Sequence, residues 1–158
     1  MPTAPHSVLS RDELVEIYEI WQLLGPMAVA RAATIASREQ ILQAAELVCI
    51  MRAENVGSAW AAQNNRFHRL LEDVGGGPRL ATILGELREA TEPHISASIR
   101  VQAELMRVAD AEHEEILRAV IAGDAEAAAD ATFRHLNSRL HGMLAIRGLP
   151  GRLTGSPA

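Results

Sequence analysis

The stretch Asp110-Ala111-Glu112-His113-Glu114-Glu115-Ile116-Leu117-Arg118-Ala119-Val120-Ile121-Ala122-Gly123-Asp124 sets the fold class of this chain. Ile116, Leu117 and Val120 recur at helical spacing, and His113 lies on the same stripe one turn earlier. Asp110 reads as the N-cap of that helix. Gly123 is a C-terminal stop and Asp124 an N-cap for a new helix, so one helix gives way to another with no room for a strand. The second helix is expected from about Ala125 to Ala145. Its stripe of Ala128, Ala131, Thr132, Leu136 and Met143 carries His135 and Arg139 on or beside the buried face.

Toward the N-terminus the same pattern repeats. Ser10 with Glu13, and Ser37 with Gln40, form capping-box patterns ahead of two further apolar stripes. The first, through Leu14, Ile17, Tyr18, Trp21, Leu24 and Ala28, contains Pro26, which predicts a kink near Leu23. The second runs through Ile41, Ala44, Ala45, Val48 and Met51 and ends at Gly57. A third helix, capped by Ser58, carries Trp60, Ala61, Phe67, Leu70, Leu71 and Val74 up to Gly75-Gly76-Gly77-Pro78, read as a flexible turn. A fourth carries Leu80, Ile83, Leu84 and Leu87, with a kink or boundary at Pro93 before a stretch through Ile99 to Met106. No segment alternates for long enough to make a sheet strand. The expectation is an all-α bundle of six to seven helices over residues 10–147, between a disordered segment 1–9 and a flexible tail 148–158.

The 158 residues, 48% of them apolar, suffice for one domain with one core. The net charge is −5, lysine is absent, and the arginines are scattered among acidic residues. Nucleic-acid binding needs a concentrated cationic face, so direct binding of DNA or RNA by this chain is not expected. No span approaches the roughly 18 uninterrupted apolar residues of a membrane helix, and the N-terminus lacks the pattern of a secretory signal. Cys49 has no second cysteine to pair with and reads as a buried small hydrophobe. These features predict a cytoplasmic protein with no membrane partner.

The chemistry sits in the histidines. His68, His113 and His135 fall in three different helices, and Asn64 lies one helical turn before His68, so the two share a face. Imidazole suits zinc, nickel, copper or iron. A single histidine on an apolar stripe is more often a hydrogen-bonded core residue than a ligand, and His94 and His141 read as surface or loop residues. Phe67-His68, the run from Glu112 to Asp124, and His135-Leu136 together resemble the FCD domain, the C-terminal ligand-binding domain of FadR-type regulators in the GntR superfamily. Pro26 followed by Ala28, Ala30, Ala32 and Ala33 is similar to the family's first helix, and the resemblance spans roughly Arg11 to Leu144. It implies an antiparallel bundle with a central cavity. In many members that cavity holds a divalent metal on one aspartate and three histidines, with a small organic acid beside it, and the bundles commonly pair as homodimers.

Carried onto this sequence, the implied metal ligands are His68, His113, His135 and Asn64, the last standing where the family has aspartate. The amide removes one unit of charge, so a weaker site for zinc or nickel is expected. Trp21 and Gly25 stand where the family commonly has an arginine and a glutamate on helix one. Exchanging a guanidinium for an indole predicts a less acidic, larger or more aromatic ligand, contacted by Trp21, Asn64, Arg88 and Arg139. The blander readings are Trp21 as filler beside Gly25, and Arg88, Arg100 and Arg139 as solvated surface arginines. The nine residues before Ser10 are too few for a winged helix-turn-helix, so the expectation is a stand-alone effector-binding domain or a fragment of a regulator. The alternatives are an enzyme on the same scaffold, a lyase, hydrolase or isomerase using His68, His113 and His135, and a partner that forms mixed dimers with a full-length regulator.

Overall fold

The structure, a computed structural model, describes residues 9–146; the expected N-terminal segment apart from Leu9, and the expected tail, lie outside the described residues. Those residues form five helices and no strand: α1 (Arg11–Ile35), α2 (Arg38–Ala53), α3 (Gly57–Val101), α4 (Glu104–Ala122) and α5 (Ala125–Ala145). The all-α expectation holds.

The count falls below six to seven because of α3 and α4. The two limbs of α3, residues 57–76 and 78–101, abut with no loop between them at Gly77, whose backbone is non-helical (φ 66°, ψ 173°). A positive φ is the conformation only glycine adopts without penalty. The chain reverses there, since Glu72 near the end of the first limb pairs with Arg88 and Gly57 at its start lies against Ile99 near the end of the second. Pro93 lies inside the second limb and marks no boundary, and α1 continues past Pro26 as expected. A proline removes one intrahelical hydrogen bond, and packing on both sides of it outweighs that loss.

Local signals place most helix ends. The capping boxes Ser10/Glu13 and Ser37/Gln40 form as expected, Asp124 accepts from the Ala127 amide, and Gly123 (φ 70°) terminates α4. Two expected caps fail. α3 begins at Gly57 behind Val56, ahead of Ser58, and α4 begins at Glu104, which leaves Asp110 inside the helix. The Asp110 carboxylate instead accepts a hydrogen bond from Trp60 Nε1 at 2.8 Å.

Pairwise helix packing positions the interior. α1 packs chiefly on α5 and α3, α4 on α5 and α2, and α2 on α3. α4 and α5 run antiparallel, joined by Glu115–Arg134 and Glu112–His135. α1 and α5 are also antiparallel, with Arg11 donating to the Leu144 carbonyl and Gly25 against Leu136. Trp60, Tyr18, Phe67, Met51, Leu84, Ile116 and Met143 fill the core, each contributing about 1.5–3 kcal/mol of burial. α2 is peripheral and buries only Ala44, Val48 and Met51, so Cys49 is exposed rather than buried as expected. Among the described residues no helix is long and apolar enough to cross a membrane.

Candidate metal centre

Three helices converge on one point through their histidines. His68 projects from the first limb of α3, His113 from α4 and His135 from α5, and all three are buried. His68 Nε2 lies 3.1 Å from His113 Nε2 and 3.1 Å from His135 Nε2. One ligating atom from each of the three lies within 4.8 Å of the others. Two nitrogens each bonded to one zinc at about 2.0–2.1 Å stand roughly 2.9–3.4 Å apart over the usual coordination angles. Both spacings from His68 fall inside that range.

The protonation states suit a cation. Burial pushes the His135 imidazole down to about 3, assisted by the charge of Arg139. Burial likewise holds His68 and His113 well below the ordinary histidine value, helped in each case by neighbouring histidine and by Arg139. At neutral pH all three are therefore neutral imidazoles, the form that donates a lone pair. The Glu112 carboxylate takes a hydrogen bond from His135 Nδ1 at 2.8 Å, which leaves the Nε2 lone pair of that ring facing the trio. Burial raises the Glu112 carboxyl above the usual carboxylate range.

Asn64 is the fourth residue expected at the site. It is buried, one turn before His68 on the same face of α3, and its Oδ1 has no hydrogen-bond partner. A buried acceptor without a donor costs about 1–3 kcal/mol. A metal ion at the histidine nitrogens is the partner that would satisfy it, so the residues present fit the group.

The other expected residues divide. Arg88, from the second limb of α3, is buried and ion-paired with the buried Glu72. Trp21 donates its Nε1 proton to Glu72 Oε1 at 3.0 Å, so its polar edge is committed. A Cβ at Gly25 would come within 3.0 Å of the Trp21 ring, so the indole occupies the room glycine leaves. Arg139 is buried with its Cζ 5.4 Å from the Trp60 ring centroid, a cation–π contact. Arg100 is exposed and takes no part. His141 is exposed as expected, but His94 is buried, with Nε2 3.2 Å from the Leu9 carbonyl oxygen. The close return of the second limb to the start of α1 explains that difference.

Four residues of the site escaped the sequence reading. Glu72 had a signal, because Asn64, His68 and Glu72 are spaced by four and share one face. Glu112, Trp60 and Asp110 had none, since each acts through a partner on another helix. His113 stacks on Trp60 at 5.9 Å between centroids, and Asp110 fixes that indole.

The FCD domain family matches residues 16–138 of the sequence, most of its length. No curated protein matches it. The family match covers all three histidines, Asn64, the whole of α3 and α4 and the part of α5 that bears His135, and the fold is the all-helical bundle this family implies. The chain belongs to the FCD domain family.

Proposed function

We propose that this chain is a GntR-type effector-binding domain whose interior site takes a divalent transition metal, zinc or nickel, together with a small organic ligand. One observation carries the reading: three neutral, buried imidazoles from three helices bring their ring nitrogens together, His68 Nε2 lying 3.1 Å from both His113 Nε2 and His135 Nε2. His68, His113 and His135 would hold the ion and Asn64 Oδ1 would be the fourth donor. The metal would supply a Lewis-acidic centre with positions left open for ligand oxygens.

The remaining residues prepare the ligand site. Glu112 orients His135, Asp110 orients Trp60, and Trp21 and Arg88 hold the Glu72 carboxylate within the same interior. Ligand contacts fall to Asn64, Trp21, Arg88 and Arg139. Binding at such a point alters how α3 sits on the α4–α5 hairpin, the change an effector domain passes on to a homodimer partner or an attached regulator module.

Metal analysis of purified protein, followed by titration of chelator-treated protein with Zn²⁺ and Ni²⁺, tests this. The expected result is one ion per chain, lost in His113→Ala. Equal metal uptake by wild type and that variant would refute it.

A further inference from the structure

We infer that Trp60 and Asp110 are positioning residues of the metal centre: the indole, anchored at its edge by the carboxylate, fixes the plane of the His113 ring. This role deepens the metal reading of the trio and rests on it.

His135 and His113 are held in different ways. His135 Nδ1 is bonded to the Glu112 carboxylate, the kind of second contact that orients a ligating imidazole and leaves its other nitrogen free. His113 has no such contact, because its Nδ1 is buried without a hydrogen-bond partner. What surrounds that ring is aromatic. Trp60 stacks on it with 26° between the planes and 5.9 Å between centroids, and Phe67 lies tilted against it at 5.0 Å. Both separations are those at which aromatic rings attract.

Of these two neighbours only Trp60 is itself tied down by a polar bond. Trp60, Asn64 and His68 are spaced by four on the buried face of the first limb of α3, and Asp110 and His113 are three apart on α4. Trp60 Nε1 donates to Asp110 Oδ1 at 2.8 Å. Helix α4 therefore grips the indole twice, by its edge at Asp110 and by its face at His113. The Arg139 guanidinium carbon, 5.4 Å from the same ring, adds a third contact. Since α3 meets α4 at few points, this grip is one of the links that bring His113 Nε2 to within 3.1 Å of His68 Nε2. A phenylalanine would supply a stacking face, but only an indole has an edge N–H for the carboxylate to hold. Filling the core accounts for the size of Trp60 and not for a carboxylate drawn partly out of water beside it.

The test compares wild type with Asp110→Leu, Asp110→Ala and Asp110→Asn in the full chain, by Co²⁺ titration and absorption and by NMR of the histidine rings in the metal-free protein. Leucine and alanine remove the acceptor, whereas asparagine keeps an oxygen for the indole. Asp110→Leu should weaken Co²⁺ binding about tenfold, the lower end of what loss of an outer-shell contact costs, and should change the Co²⁺ spectrum. The His113 ring signals should shift while those of His135, held by Glu112, stay in place. Asp110→Asn should bring affinity, spectrum and ring signals back to near wild type. Asp110→Ala is the decisive variant if the leucine form does not fold. Wild-type Co²⁺ affinity in the variants without an acceptor, His113 signals that stay put or move together with those of His135, or an asparagine form as impaired as the leucine form would each overturn the assignment. A wild type that takes up no Co²⁺ would refute the metal reading, and the ring signals would then decide the positioning role by themselves.

Discussion

Replacing Gly75 with alanine tests the packing that sets α1 against the site. A Cβ at Gly75 would lie 1.7 Å from the Ala28 carbonyl oxygen and 2.7 Å from the Ala32 amide nitrogen, both backbone atoms of α1. Carbon–oxygen contacts of this kind settle at about 3.3 Å or more, so α1 would have to retreat by about 1.6 Å. No side-chain rotation relieves a clash with backbone, which puts the cost at the upper end of overpacking, about 3 kcal/mol. The retreat also stretches the 3.0 Å bond from Trp21 to Glu72, worth roughly 2 kcal/mol because its acceptor is charged. Alanine's better helix propensity returns about 1 kcal/mol. The net is about 4 kcal/mol of destabilisation, or roughly 12 °C in Tm for a domain of this size. Gly85 is the control, because a Cβ there meets nothing within 4 Å, and Gly85→Ala should gain about 0.5–1 kcal/mol. Paired urea and thermal melts read both signs. A Gly75→Ala protein as stable as wild type, or a Gly85→Ala protein less stable than Gly75→Ala, would refute the reasoning.

Stability should decline in mild acid, because His135 is held down to about 3 and His68 and His113 well below their ordinary value in the fold, whereas all three titrate near 6.5 when unfolded. The unfolded chain then binds more protons, so this contribution is complete above about pH 6.5 and is lost as pH falls, with a limiting slope of ~4 kcal/mol per pH unit for three protons. Asp110 and Glu112, raised by burial, oppose this only at the acid end; urea melts that coincide at pH 7.5 and pH 5 would contradict the scheme. Glu112→Gln weakens the carboxylate hold on His135 and should lower metal affinity about 10–100-fold with the fold intact, read by competition with a chromophoric chelator. Glu72→Ala strands the Arg88 guanidinium and should cost about 3–5 kcal/mol, most of it recovered in Glu72→Leu/Arg88→Met, as denaturant midpoints of the three proteins would show.

Helix signals that act within a few residues were legible in advance. Ser10 with Glu13, Ser37 with Gln40, and Gly123-Asp124 mark their boundaries because a cap needs only its own first turn. The histidine trio was legible from its placement on three amphipathic helices together with the family resemblance. What the sequence could not display are choices made between distant groups. Asp110 looks like a cap until Trp60, fifty residues away, supplies a donor for it. Arg88 looks like a surface arginine until the reversal at Gly77 brings it onto Glu72. Cys49 sits on a helix with an apolar stripe, and its exposure follows from α2 lying at the edge of the bundle. Each of these depends on how limbs dock, which periodicity does not encode.

The route by which the three histidines arrive has a further consequence. His113 and His135 belong to a hairpin closed by the Gly123-Asp124 turn, whereas His68 comes from a helix that touches α4 and α5 at few points and is held mainly by α1 and α2. An ion on the trio would act as a rivet between these two bodies, cross-linking chain segments 45 and 67 residues apart. Its loading would show most clearly in the exchange of backbone amides along the first limb of α3, where opening would have to break the rivet, and least within the hairpin that is already closed on itself.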